Sequence, residues 1–289
     1  SYAVIEMGAN HLGEIEWLSK IASPNIAVIT QCAPANLEGF KNIQSVAKAK
    51  AEIYLGLQSS GIAIINADDE YAGFWKNCCK KTKQVTFGIE SENADIRAKD
   101  IRPSTDNLSI NFRLITNDDD IQISLPLIGN HNVMNALAAA ACCLSLDISL
   151  HAIKKGLENM KPIKGRLQIR LGRNNIRIID DTYNANPTSL NAAIKTLCDL
   201  KGPHFIVLGD MGELGHDAVR FHEDVGITAR QNNIDGLFTI GDLSINATKS
   251  FGQGASHFDN YDDLEKSLIK ILDKYSTVSV KGSRSMKME

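Results

Sequence analysis

Short β-branched and apolar runs alternate along the chain with stretches whose apolar positions recur every three or four residues. Strand–helix–strand units produce this rhythm, because each crossover helix covers one face of a parallel sheet. The pattern predicts strands over Ala3–Glu6, Ile26–Thr30 and Gly61–Ile65, with helices over Glu14–Ala22 and Ile43–Leu57. Between residues 85 and 125 the rhythm changes to short alternating stretches broken by Pro103, Asp106-Asn107 and Asn117 to Asp120, which predicts a small antiparallel excursion. Helices follow at about Asn132–Leu146 and Leu150–Asn159. Met160 to Arg166, with Pro162 and Gly165, reads as a hinge.

Beyond the hinge, strands are predicted at Ile176–Ile179, Phe205–Leu208, Leu237–Ile240 and Val278–Val280. Each runs into a polar tip: Asp180-Asp181, Gly209-Asp210, Gly241-Asp242 and Lys281-Gly282-Ser283-Arg284. Open parallel sheets bind ligands beyond the carboxyl ends of their strands, so these tips mark the edge where a site is expected. The expectation is an α/β chain of two domains, residues 1–166 and 167–289.

Composition narrows the classes. With 43% hydrophobic and 22% charged residues, the chain reads as a globule, and a net charge of −3 excludes a general nucleic-acid binder. No apolar run is long enough to span a bilayer. The six cysteines form no C-x-x-C pattern and read as reduced core residues of a cytoplasmic protein.

The candidate chemistry sits at the predicted tips, and each residue has a plain alternative. Glu6, ahead of Gly8, can hold Mg²⁺ or be a solvated strand end. Lys48 and Lys50 lie about 200° apart on a helix, so only one faces a cleft; otherwise they form a solvated basic face. Asn132 and Asn135 share a helix face just after Gly129, where amides reach a purine or an anion, or simply cap the helix. Arg166 can clamp phosphates from the hinge or form an ion pair. Asp181, Tyr183, Asn184 and Asn186 crowd one strand-to-helix turn with more polar groups than a structural turn needs. Asp210 and Glu213 repeat this on the next strand. Lys281, Ser283 and Arg284 form a potential carboxylate or phosphate receptor. No G-x-x-x-x-G-K-[ST] phosphate loop occurs.

Together, several stretches resemble the Mur ligase family in order: Val4-Ile5-Glu6-Met7-Gly8-Ala9-Asn10-His11, Leu37-Glu38-Gly39-Phe40, Ala47-Lys48-Ala49-Lys50-Ala51-Glu52-Ile53 and Asn66-Ala67-Asp68. They continue with Gly129 to Ala136, Gly165-Arg166-Leu167, Asp180 to Pro187, Gly209 to Gly215 and Val280 to Ser285. The stretches Asp-Asp-Thr-Tyr-Asn-Ala-Asn-Pro and Gly-Asp-Met-Gly-Glu-Leu-Gly point to the branch that adds D-alanyl-D-alanine to UDP-N-acetylmuramoyl-tripeptide.

The resemblance implies a central ATP-binding domain and a Rossmann-like C-terminal domain, in a monomeric cytoplasmic enzyme of bacterial cell-wall synthesis with no nucleic-acid or membrane partner. It implies ATP-driven formation of an acyl phosphate, attack by the dipeptide amine and collapse of a tetrahedral intermediate to the amide. By the same resemblance Glu6 and a carbamylated Lys50 hold Mg²⁺, while Asn132, Asn135, Arg166, Asp181, Tyr183, Asn184 and Asn186 meet ATP. Asp210, Glu213, Lys281, Ser283 and Arg284 serve the acceptor side.

Two departures stand out. Asn36 occupies the place of an expected metal-binding histidine. The family's precursor-binding domain and phosphate loop would precede residue 1, and a final helix would follow Glu289, so these 289 residues alone are expected not to hydrolyse ATP. The alternatives are a ligase adding a single amino acid, a folylpolyglutamate synthetase relative, or a non-catalytic nucleotide-binding piece.

Overall fold

The computed structural model describes residues 2–33, 37–40, 42–104, 108–172 and 176–289, which form two compact units. The first holds most of the chain up to Met160, and the second runs from Lys161 to Glu289 and includes Leu127–Gly129.

The first unit is built on a six-stranded sheet in the order β1 to β6. The strands are β1 (Ile26–Ile29), β2 (Ile62–Asn66), β3 (Lys83–Gly88), β4 (Ile96–Pro103), β5 (Ile110–Ile115) and β6 (Asp120–Leu125). Strands β1 to β4 pair in parallel, and β4, β5 and β6 pair antiparallel, as the broken stretch after residue 85 predicts. Helices α1 (Glu14–Ala22), α2 (Leu37–Phe40), α3 (Ile43–Ala51), α4 (Ala72–Cys78), α5 (Asn130–Leu144) and α6 (Leu150–Glu158) accompany the sheet. Val133, Ala136, Leu137, Ala140 and Ala141 of α5 are all buried; this i, i+3, i+4, i+7, i+8 stripe seats the helix on the sheet. The helix expected through Leu57 stops at Ala51 and tightens into a 3₁₀ turn over Glu52–Gly56.

One expected element is absent. Residues 2–9 form no strand, Val4 is 99% exposed and Glu6 is exposed. Alternating apolar residues make a strand only with a neighbour to complete the hydrogen-bond ladder, and among the described residues none lies alongside.

The second unit carries a six-stranded sheet in the order β11-β10-β9-β12-β8-β7. Its strands are β7 (Gln168–Leu171), β8 (Arg177–Asp181), β9 (His204–Gly209), β10 (Gly236–Ile240), β11 (Ala255–Phe258) and β12 (Thr277–Lys281). Helices α7 (Pro187–Cys198), α8 (Ala218–Gln231), α9 (Ile245–Phe251) and α10 (Tyr261–Ile271) connect them. All strand pairs are parallel except β7 with β8. The chain returns from β11 through α10 to insert β12 between β8 and β9, which places the tips of these three strands side by side. One face of the sheet packs Ile179, Ile206, Leu208 and Leu237 against Leu190, Ile194 and Val225; the other packs Phe205, Val207, Phe238 and Val278 around Leu264.

Candidate functional site

At the carboxyl edge of the second sheet, the tips of β8 and β12 meet in one polar corner. Lys281, the last residue of β12, is only 2% exposed. Its ammonium donates to Asp181 Oδ2 at 2.5 Å and to the Asn184 carbonyl at 3.0 Å. The other oxygen of Asp181 accepts the Leu167 backbone N–H at 3.3 Å. Burial pushes the Asp181 carboxyl up and the Lys281 ammonium down, and each charge opposes the shift in the other. Asp180 is tied down separately by Arg170 at 2.9 Å and by the Thr182 hydroxyl at 2.7 Å.

Arg166 borders the same corner. Its guanidinium carbon sits 4.2 Å from the centroid of the half-exposed Tyr183 ring, a cation–π stack. Among the described residues no carboxylate or carbonyl pairs with this guanidinium. The backbone makes the stack: Gly165, at φ +75°, accepts the Tyr183 N–H at 2.9 Å, and Leu167 follows at φ +48°. A side chain at position 165 would press on the Tyr183 amide at 3.1 Å, so glycine is required on grounds of both conformation and space.

Other residues of these loops hold the scaffold. Asn186 caps α7: its Oδ1 accepts the Ser189 N–H at 2.8 Å, Ser189 Oγ accepts the Asn186 N–H at 3.1 Å, and Pro187 opens the helix. Asn184 Oδ1 accepts the Ala185 N–H at 2.8 Å, and its side chain is exposed. Asp210 accepts the amides of Leu243 and Ser244 at 3.1 and 2.7 Å, so its carboxylate braces the turn after β10. Gly241, at φ +118°, makes room for it, since a Cβ there would strike Asp210 Oδ1. Glu213 is exposed in a left-handed conformation, φ +62°. Ser283 is buried against Ser285, 3.1 Å between hydroxyls, and its N–H donates to the Asp210 carbonyl. Arg284 is exposed and pairs with Glu289 at 2.9 Å.

In the first unit, Lys48 is exposed and Lys50 half-buried, as their angular separation on α3 demands. Lys50 lies in the electrostatic field of Cys32, whose thiol burial and Asp69 push up to about 11 against the pull of that ammonium. Ala9, Cys32, Phe40, Val46 and Ala49 pack together, so the segment after Glu6 and the helix of Lys50 share one cluster. Gly39 allows this approach: a Cβ there would meet the Asn10 carbonyl at 2.2 Å. Asn132 is partly buried and Asn135 exposed, both in the first turns of α5. Asn36 lies outside the described residues. Among the described residues, no three His, Cys, Asp or Glu side chains gather into a metal site.

Sequence reasoning passed over three residues that organise these edges. Asp68 accepts the amides of Ile89, Glu90 and Ser91, and Asp69 accepts those of Cys32 and Tyr71, so the tip of β2 pins the loops after β1 and β3. Glu52 accepts the amides of Gly13 and Glu16, capping α1 from 3₁₀ residues far along the chain. Asp68 in Asn66-Ala67-Asp68 was the available signal, since an aspartate just after a strand often accepts nearby backbone amides, whereas Glu52, inside an expected helix, gave none.

Residues 1–143 match the Mur ligase middle domain, and residues 165–284 match the Mur ligase, glutamate ligase domain. The chain is 42% identical over its whole length to the UDP-N-acetylmuramoyl-tripeptide–D-alanyl-D-alanine ligase of Buchnera aphidicola subsp. Baizongia pistaciae, and 39% identical to that of Escherichia coli. It spans 62% and 64% of the lengths of these relatives. Among solved structures, MurF from Acinetobacter baumannii superposes with a TM-score of 0.92 at 34% identity, covering 99% of this chain and 63% of that one. MurF from Thermotoga maritima in complex with ADP superposes with a TM-score of 0.86 at 25% identity, covering 96% of this chain and 62% of that one.

Proposed function

The chain belongs to the Mur ligase family, and from that premise we propose that it carries the nucleotide and acceptor parts of an ATP-dependent ligase that joins D-alanyl-D-alanine to UDP-N-acetylmuramoyl-tripeptide. The observation that carries the reading is the corner of Arg166, Tyr183 and Asp181. There an exposed guanidinium, with no carboxylate partner among the described residues, stands beside a carboxylate that retains acceptor capacity. A nucleotide presents both counterparts, anionic phosphate oxygens for the guanidinium and hydroxyl donors for the carboxylate. The ADP complex of the Thermotoga maritima relative supports nucleotide use.

In this reading Arg166 meets the charge that moves onto the transferred phosphoryl group, and Tyr183 holds the guanidinium plane. Asn184 offers its amide nitrogen to the same ligand, and within the first unit Asn132 and Asn135 are assigned to nucleotide by resemblance alone. Asn186 acts through the α7 cap that fixes this turn. Glu213, Ser283 and Arg284, on the tips of β9 and β12, face the acceptor dipeptide, and Asp210 holds their loops together. For Mg²⁺ the donor chemistry of Glu6 and of a carbamylated Lys50 is oxygen and therefore suitable. The described residues assemble no complete donor set, so these two are assigned to the ion by chemistry alone.

Phosphate release by the protein as its gene encodes it, with ATP, UDP-N-acetylmuramoyl-tripeptide and either D-alanyl-D-alanine or single amino acids, tests the reading. Turnover with the dipeptide supports it, and preference for a single amino acid overturns it.

A further inference from the structure

The Lys281 ammonium is committed before any ligand arrives. Two of its three donors are taken, by Asp181 and by the Asn184 carbonyl, and the side chain is 3% exposed. An incoming carboxylate would have to reach the third donor of a side chain that is almost wholly enclosed, or displace Asp181 or the Asn184 carbonyl. Receptor chemistry at this tip therefore falls to other groups, and Lys281 needs a different role.

Its neighbours supply one. Asp181 lies in the field of two cations, Lys281 and Arg166, and is bonded to only the first. Lys281 is fixed at the end of a central strand, whereas Arg166 is an exposed side chain held by a ring stack. A buried carboxylate left without a partner is costly, and the nearest mobile cation would be drawn to it. Arg166 would then leave the Tyr183 face and turn its donors inward.

We propose that Lys281 is a positioning residue: by holding Asp181 Oδ2 and the Asn184 carbonyl, it keeps the Arg166 guanidinium out of an Asp181 ion pair and stacked on Tyr183, open to an anionic ligand. The consequence for ATP rests on the functional reading above, but the arrangement itself belongs to the ligand-free protein. The residues concerned lie 100 positions apart in the chain, yet β8 and β12 are adjacent strands, with Lys281 directly opposite Asp181 in the register.

The test compares the 289-residue chain with Lys281→Met, with Lys281→Gln and with the double variant Lys281→Met/Asp181→Asn. The ¹⁵N-detected Arg166 Nε–H signal is the main readout, its ring-current shift identified by Tyr183→Leu. In the single variants the shift is lost although Tyr183 is untouched, and ADP with magnesium binds about tenfold more weakly, the scale of one charge-assisted hydrogen bond. In the double variant the Asp181 carboxylate is gone while Asp180 stays paired with Arg170, so Arg166 is not recruited and the shift returns. An Arg166 signal that keeps its shift in either folded single variant overturns the proposal. Should neither fold, the wild-type protein decides through its Lys281 ¹⁵Nζ signal. That signal stays in place as D-alanyl-D-alanine is added, whereas a saturable shift would make Lys281 a receptor and overturn the proposal. Failure of the wild type to bind ADP counts against the nucleotide reading alone, because the Arg166 measurement needs no ligand.

Discussion

His222 Nε2 accepts the backbone N–H of Met211 at 3.0 Å, and this bond dictates the protonation of a fully buried imidazole. The opposite nitrogen, Nδ1, lies 2.7 Å from the Ala218 carbonyl and must donate to it. The ring is therefore neutral, with its proton on Nδ1, and it ties the Gly209–Gly215 loop to α8. Burial holds its pKa below the ordinary 6.5, with only the Asp210 charge and the Ala218 bond opposing.

A depressed folded-state value means that the unfolded chain takes up the proton first as pH falls. The stability that His222 contributes is complete above about 6.5 and is lost as pH drops through the folded value. His204, half-buried and also shifted down, acts in the same direction. Urea unfolding followed from about pH 8 to about pH 5 should show stability falling with acid. The fall should be shallower in His222→Gln, which can keep the Met211 bond but cannot titrate. Replacement by Ala should cost about 2–4 kcal/mol at neutral pH, through a cavity and an orphaned amide. An unchanged slope in His222→Gln would refute this assignment.

Asn186→Ala should separate the structural part of the Asp180–Pro187 turn from its ligand part. The substitution removes the cap on α7 while leaving Arg166, Tyr183 and Asp181 in place. A loss of about 1 kcal/mol of stability is expected. The amides most affected should be those of the first turn of α7, read by hydrogen exchange. Loss of ADP binding far beyond that change in stability would instead make Asn186 a direct ligand.

Asn186 also marks how far the sequence could be read. The alternation of strands and helices was legible because β8, β9, β10 and β12 are short, largely buried apolar runs that end in polar tips. Strands β7 (QIRL) and β11 (ASHF) escaped, being four-residue edge strands with little apolar content. Ala3–Glu6 shows the converse, a strand-like pattern with no partner in the described residues. At the site, polar density was legible but the division of labour was not. Asn186, Asp210 and Lys281 look like ligands in one dimension, yet caps, braced turns and ion pairs depend on partners that only the fold brings near. The pairing of Asp181 with Lys281 required the position of β12 between β8 and β9, which no local pattern encodes.

Asp68 should prove one of the costlier carboxylates to remove from the first unit. Its two oxygens accept three consecutive loop amides at 2.6, 3.0 and 2.8 Å, and Gly88 is packed so closely that a Cβ there would meet Asp68 Oδ1 at 2.5 Å. Asp68→Ala should cost about 2–4 kcal/mol by leaving those amides to find water. Asp68→Asn, which keeps one acceptor, should cost less. Hydrogen exchange should localise the damage to residues 89–91, and a uniform loss of protection across the sheet would contradict the loop-anchoring role.

Two helical glycines should respond to alanine with opposite signs. In α8, a Cβ on Gly226 would meet the Ala247 carbonyl and Ser250 Oγ, each at 2.2 Å, so the absence of a side chain is what lets α8 lie against α9. Gly226→Ala should destabilise by about 1–3 kcal/mol as the helices are forced apart. In α6, a Cβ on Gly156 meets nothing within 4 Å, and the position is exposed. There the only effect is on the backbone: alanine restricts the unfolded chain and favours the helix, a gain of about 0.5–1 kcal/mol. Chemical denaturation of both variants measures the pair. Destabilisation at Gly156 would show that α6 needs glycine for a contact that its open surface does not reveal, and a neutral Gly226→Ala would mean that α8 and α9 can separate without loss.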